Sequence, residues 1–348
     1  MPPKTEKRVT IYDVAKALNI STATVHRALS GKGTIHEKTR ERVLEMVDRL
    51  GYRPNRLARS LSSKNVRLAV VAFTSFPEFH DQIIAGAKQA TQDLVDFNLH
   101  TDFYSYSGGD SNTAAGTEFL NNTLERIAKD RYDGLLICAR QADGFAAIER
   151  GKIPVVTIVN DIAVSTRKLS IRYHGHVAGR IAAELLYRMG NANQAVAIAS
   201  GSYGERSIHS EIFEGFKEQA LVTPLSLVAA YSHHDNKDAA YDATIHVLRK
   251  YPYLAGIYVD SFNSLGVIEA VKEMGMERRL TLITSDLSKD LRAYISQGIV
   301  QATICQNQFE QGRMGLEHLF WYVMEGTIET STILLRPQLV LNSNMELY

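Results

Sequence analysis

Thr22, Ala23, His26 and Arg27 share one face of a predicted helix running from Thr22 to about Ser30, whose other face is Val25, Ala28 and Leu29. Small side chains let a helix approach base edges closely, and an arginine can meet a guanine with two hydrogen bonds. The chemistry implied is the reading of DNA. Short hydroxyls also cap helices in any protein, so the neighbouring elements must carry the distinction. Thr10 to Asp13 has the form of a capping box, and Val14, Ala17 and Leu18 give a first helix its inner face. Asn19-Ile20 is a tight turn, and Ser21 caps the second helix. Glu37 to Leu50 predicts a third helix with Val43, Leu44, Val47 and Leu50 inward, ended by Gly51. Three short helices so joined predict a helix-turn-helix domain, with the second helix in the major groove.

Charge agrees with this placement. The chain has 348 residues and a net charge of +1, but residues 1–65 carry 14 basic against 6 acidic side chains, a net of +8. The remainder carries 25 against 32 and is net −7. A basic head on an acidic body suits a polyanionic partner for the head. Apolar content of 45% and strand-sized apolar runs such as Leu68–Phe73 describe a soluble globular chain without a membrane span. The first ten residues lack the apolar core of a secretory signal, so the expectation is a cytoplasmic protein. Cys138 and Cys305 lie in apolar runs and read as buried free thiols.

From Val66 strands and helices alternate in two sets. The first comprises Leu68–Phe73, a helix Ile83–Phe97, Leu99–Tyr106, a helix Thr113–Lys129, Asp133–Ala139, Pro154–Asn160 and Leu169–Tyr173. The second comprises Ala195–Ser200, a helix Ile208–Ala220, Ser226–Tyr231, a helix Asp238–Lys250, Gly256–Asp260, a helix Ser264–Met274, Leu280–Ser285 and a helix Leu287–Gly298. Such alternation predicts two doubly wound lobes built on parallel sheets. Ligands of these folds sit beyond the carboxyl ends of the strands. Strand ends therefore nominate Phe76 and Phe79 as aromatic rings, and Arg140 or Gln141 as forked polar partners, for a ligand. Phenylalanines also pack cores and polar residues also cap helices.

Catalytic constellations are absent. There is no phosphate-cradling Gly-x-x-x-x-Gly-Lys-Ser/Thr and no Gly-x-Ser-x-Gly elbow. The histidine pairs His174/His176 and His233/His234 lack zinc-ligand spacing, so neither metal nor cofactor is expected.

Residues 9–65 closely resemble the DNA-binding region of the lactose-repressor/galactose-repressor (LacI/GalR) family. The matching residues are Thr10-Ile11, Asp13-Val14-Ala15, Ser21, Thr24-Val25, Arg27, Leu29, Gly31, Thr39-Arg40, Val43, Leu50-Gly51-Tyr52, Pro54-Asn55 and Ala58-Arg59-Ser60-Leu61. The resemblance implies DNA contacts from Thr10, Ser21, Thr24 and Asn55 beside the helix face above. It also implies a hinge helix over 55–63, with Ala58 allowing two copies to approach and Leu61 wedging into the minor groove, which kinks the duplex. Two positions depart from the pattern: His26 replaces the usual serine, and His36 replaces the usual small cap of the third helix.

The body resembles, more weakly, the periplasmic sugar-binding fold that serves this family as its sensor. That implies three crossings between lobes, near Tyr173, Gln306 and Thr330. The expected domains are 1–54 (helix-turn-helix), 55–65 (hinge) and 66–348 (effector binding and dimerisation). Within the last, one lobe spans about 66–172 and 307–329, and the other about 173–306 and 330–348. Asp286 matches the family's ligand aspartate and Gln306 a crossover glutamine. His174-Gly175 stands for the usual Asp-Asn, Ser210 for an arginine and Asp260-Ser261 for Asn-Asp. His174, His209 or Asp260 could take over the lost contacts, which suits an unusual sugar, polyol or derivative. Three functions follow from the body fold: a ligand-responsive transcription regulator, a transported-sugar binding protein or a sugar-modifying enzyme. Only the first also accounts for the head. The resemblance then implies a homodimer on operator DNA. No leucine heptads follow Val340 to build a tetramer.

Overall fold

The computed structural model describes residues 11–30, 35–50, 65–106, 113–139, 144–190, 195–201 and 207–348. Thr10, Asn55, Ala58, Leu61, Arg140 and Gln141 lie outside these residues, as does the expected hinge helix. The side chains of Ala23, His26 and Arg27 lie outside them as well, although their backbone is helical. The helical head and most of the α/β body fall in separate compact units.

The head consists of α1 (Ile11–Leu18), α2 (Thr22–Ser30) and α3 (Glu37–Leu50). Asn19 takes a left-handed φ of 52° in the turn between α1 and α2, a conformation that asparagine tolerates better than most residues. Val14, Ala15, Val25, Ala28 and Val43 form the buried centre, with Leu18, Leu29, Met46, Val47 and Leu50 packed on it. Two expected inward residues differ. Ala17 is exposed and Leu44 is 46% exposed. The inward stripes run instead through Ala15 and Met46, one turn from Leu18 and Val43 respectively.

The body contains two six-stranded sheets. The first lobe is built from β1 (Val66–Ala72), α4 (Pro77–Asp93), β2 (Leu99–Ser105), α5 (Ala114–Lys129), β3 (Gly134–Cys138), α6 (Ala146–Arg150), β4 (Val155–Ile158) and β5 (Arg167–Tyr173). The second is built from α7 (Gly175–Met189), β6 (Ala195–Ser200), α8 (Ile208–Leu221), β7 (Ser226–Ser232), α9 (Lys237–Lys250), β8 (Gly256–Val259), α10 (Leu265–Glu273), β9 (Thr281–Ser285), α11 (Lys289–Ser296) and β10 (Ala302–Cys305). The chain then returns to the first lobe for α12 (Gln308–Glu325) and β11 (Thr332–Leu335), and ends in the second lobe with β12 (Gln338–Val340). Strand orders are β11-β5-β4-β3-β1-β2 and β12-β10-β9-β8-β6-β7. Apart from the half-exposed Arg67 on β1, the central strands are buried along their length, as parallel strands covered on both faces must be.

Three expectations need correction. The helix expected at Ile83–Phe97 begins at Pro77 and ends at Asp93, followed by a short 3-10 turn over Val95–Phe97. Proline at a first helical position costs no hydrogen bond, so it starts the helix rather than excluding it. The third crossing lies at Arg336-Pro337 rather than near Thr330, because β11 pairs in parallel with β5 of the first lobe. Finally, β12 joins β10 antiparallel, so the second sheet is mixed at that edge. The first two crossings fall where expected, at His174 and at Gln306-Asn307.

Helix α12 covers the first sheet against α4. The two backbones nearly touch: a Cβ added to Gly86 would lie 1.9 Å from the Phe309 carbonyl oxygen, and one added to Gly312 would lie 2.1 Å from that of Ile83. Glycine at both positions is what allows this approach.

Candidate functional site

In the head, the Ser21 hydroxyl accepts the Thr24 amide at 3.1 Å and lies 2.8 Å from the Thr24 hydroxyl. The start of α2 is thus capped as expected. Thr22 and Thr24 are partly exposed and Ser21 is exposed. The third helix starts without the usual small cap: the His36 carbonyl accepts the Thr39 and Arg40 amides at 2.8 and 3.1 Å.

In the body, residues that follow strand carboxyl ends gather in the second lobe. Asp260, after β8, is buried. One carboxylate oxygen accepts the Gly201 amide at 3.0 Å and lies 2.9 Å from His209 Nδ1, while the other accepts the Ser200 hydroxyl at 2.9 Å. Gly201 has no room for a side chain, since a Cβ would lie 2.5 Å from Asp235 Oδ1 and 2.8 Å from the His209 ring. Asp235 in turn accepts the Ser261 hydroxyl. With Asp260 fixed on three sides and bound to Nδ1, His209 keeps Nε2 for another partner. His233 is fully buried beside this group, both ring nitrogens lacking hydrogen-bond partners, and burial pushes its pKa down to about 4.

Asp286, after β9, has a φ of 62° and is buried. Its carboxylate accepts the Gln306 amide nitrogen at 3.1 Å and Gln306 Nε2 at 2.8 Å. Burial outweighs these bonds and raises the Asp286 pKa to about 6. Since Nε2 of Gln306 is committed to Asp286, Oε1 is a buried acceptor with no partner, a group that is costly to leave unmade.

The first lobe meets this face through the start of α4. The Phe76 and Phe79 rings lie 5.2 and 5.7 Å from that of Phe262, the latter edge-on. Beside them a Glu78 carboxylate oxygen accepts the Lys289 amide at the first residue of α11, at 3.0 Å. The rims of the two lobes therefore touch through an aromatic trio and one charged hydrogen bond.

The residues nominated from sequence divide accordingly. Asp260, Asp286 and Gln306 sit together at strand ends of the second lobe, and Phe76 and Phe79 form the facing rim. Ser210 serves the start of α8: its amide donates to the Ser207 hydroxyl at 3.2 Å. His174 lies in the first crossing, where its amide donates to Leu335 and its Nδ1 has no partner. Phe262 and Gln311 were not expected. An aromatic two residues past a strand-end aspartate was the available signal for Phe262. Gln311 gave none, because a polar residue on a long helix reads as solvated. Among the described residues no group of three or more histidine, cysteine or acidic side chains could hold a metal ion. No described helix is long and apolar enough to cross a membrane.

A helix-turn-helix head joined to two parallel-sheet lobes with polar strand ends defines a DNA-binding regulator with a small-molecule sensor. Residues 10–55 match the bacterial regulatory proteins of the lacI family, and residues 68–326 match the periplasmic binding protein domain. The chain belongs to the lacI family, with a periplasmic-binding-protein body: it is a DNA-binding transcriptional repressor built to respond to a small-molecule effector. It is 27% identical to catabolite control protein A of Priestia megaterium over 93% of this chain and 96% of the relative. It is 23% identical to the ribose operon repressor of Haemophilus influenzae over 97% and 98% of the two chains. The body has the fold of GanP, a glucose-galactose binding protein from Geobacillus stearothermophilus, with a TM-score of 0.70 at 19% identity over 81% of this chain and 99% of that one.

Proposed function

We propose that the effector is a small polyhydroxylated molecule, a sugar, polyol or close derivative, held between the lobes of the body. The observation that carries this reading is the pairing of chemistries at the cleft: the rings of Phe76 and Phe79 from the first lobe meeting Phe262 of the second, beside the polar groups His209-Asp260 and Asp286-Gln306 of that second lobe. Aromatic rings accept the C–H face of a sugar, and the free Gln306 Oε1 and His209 Nε2 accept or donate to its hydroxyls. The names of its relatives, including a ribose operon repressor, support the same class.

The head works as one half of a homodimer on a pseudo-palindromic operator in the cytoplasm, with Arg27 and its neighbours reading bases. Residues 55–63 act as the hinge helix on DNA, with Asn55 among the DNA contacts, Ala58 letting the two copies approach and Leu61 wedging into the minor groove. Effector binding reorients the lobes and so changes the spacing of the paired hinges. Effector and operator are then linked by a reciprocal coupling free energy, typically ~1–3 kcal/mol.

The test is a thermal-shift screen of the full chain against sugars, polyols and their phosphates. A ligand that binds only the folded chain at a hundred times its Kd stabilises it by about 2.7 kcal/mol. The expected hit also shifts operator affinity, and Asp286→Ala weakens the hit's binding while leaving ligand-free operator affinity in place. A hit whose binding survives Asp286→Ala removes that residue from the site, and a panel without hits overturns the ligand class.

A further inference from the structure

Gln311 is fully buried on α12, a polar side chain in an otherwise tightly packed helix. Both ends of its amide are used. Oε1 accepts the Val159 amide at 2.9 Å, a proton shared with the Ile171 carbonyl at 3.2 Å. Nε2 donates to the Gln306 carbonyl at 2.8 Å. An amide N–H on one side and a carbonyl on the other allow only this orientation of the side chain.

These bonds extend a chain that begins in the other lobe. Asp286, at the end of β9, holds Gln306 by its backbone and its side chain. The Thr303 hydroxyl on β10 donates to the Asp286 carbonyl at 2.6 Å. Gln306 lies in the second crossing, Gln311 on the helix that enters the first lobe, and Val159 at the strand end of β4 on that lobe's rim. Four buried residues thus connect the floor of one lobe to the rim of the other.

The backbone along this chain turns left-handed three times, and at Val159 it is strained. Val159 has a φ of 70°, Asn307 of 55° and Asp286 of 62°. For a β-branched residue such as valine this is an outlier, and such conformations persist only where surrounding bonds hold them. Gln311 supplies one of those bonds at Val159 and anchors the carbonyl that precedes Asn307.

We infer that Gln311 is a positioning residue that couples the two lobes, fixing the second crossing to the first lobe as Asp286 fixes it to the second. A ligand that moves either end is felt at the other through Gln306. This inference goes beyond the ligand reading above and needs neither ligand nor DNA for its test, so its failure leaves that reading standing.

The experiment is amide hydrogen exchange on the full chain. Asp286→Asn, a change in the second lobe, should speed exchange at Val159 and Asn160 in the first lobe roughly fivefold, the change that loss of one net hydrogen bond brings. Gln311→Leu should do the same there and at residues 284–288 in the second lobe. The double variant should add nothing further, because both changes break one chain. Leu316→Ala, a buried change on the same helix that touches none of these bonds, controls for general loosening. Gln311→Glu keeps the acceptor for Val159 and loses the donor to Gln306, so it breaks the chain between the lobes and should speed exchange at residues 284–288 fully and at Val159 less than Gln311→Leu does. Effects confined to the mutated lobe, additive effects in the double variant, or an equal response to Leu316→Ala would each overturn the inference.

Discussion

Asp286 and His233 are buried in the same lobe and titrate in opposite senses. The folded pKa of Asp286, about 6, lies above its unfolded value of roughly 3.9, so the native state binds its proton more tightly. Its contribution therefore weakens as pH rises from about 4 to about 6. His233, at about 4 when folded and roughly 6.5 when unfolded, gains stability as pH rises through that window. Each effect is on the order of 3 kcal/mol at full extent, at about 1.4 kcal/mol per pKa unit, and the two largely cancel. Urea midpoints between pH 4 and 7.5 can separate them. Relative to the native chain, Asp286→Asn should gain stability as pH rises from about 4 to 6, and His233→Leu should lose it over the same range. A difference that does not change with pH would show that neither group titrates as its burial dictates. At this scale the sequence was partly legible. Asp286 and Gln306 could be found because the family resemblance marks those positions, and Asp260 because it replaces the family's usual residue after a strand. Their partners could not, since the bonds to Gly201 and His209 span 59 and 51 residues.

At the scale of elements, the strongly periodic segments were legible and the small-residue helices were not. The three head helices and strands β1 to β9 follow from apolar spacing, whereas the short β10, β11 and β12 do not. Helices α7 and α12 gave a weaker pattern because much of their inner faces is glycine, alanine or glutamine, with leucine or phenylalanine buried only later in each helix. A Cβ at Gly179 would lie 1.9 Å from the Ile212 carbonyl oxygen, so the residues that permit this contact are those that blur the hydrophobic stripe. The recognition helix and the hinge carry the next prediction. Arg27→Ala should relax base discrimination in a binding selection, by about 1–3 kcal/mol at the base it reads. Leu61→Ala should weaken specific operator binding more than nonspecific binding, because only the specific complex is kinked by the wedge. Unchanged base preference would refute the first role, and equal loss on both DNAs the second.

At the scale of the molecule, charge is divided as function requires: a net of +8 in residues 1–65 against −7 elsewhere. Operator affinity should fall steeply with salt, as the logarithm of the binding constant against that of salt concentration, with a slope of about −0.9 per phosphate neutralised. A flat salt dependence would place the DNA contacts away from the basic head. The two-lobe architecture was legible from strand–helix alternation. The third crossing was displaced because β11 is a four-residue, half-exposed edge strand with little periodicity to read.

The return of the chain to the first lobe also bears on how the protein is made. β1 to β5 are complete by Tyr173, yet the helix that seals their sheet begins at Gln308 and their sixth strand at Thr332. At about 5–20 residues per second, a ribosome takes on the order of ten seconds to synthesise the intervening second lobe. During that interval the first lobe must wait with the apolar seat of α12 uncovered. The nascent chain is therefore most exposed to aggregation, and to capture by chaperones, between the emergence of β5 and the docking of α12.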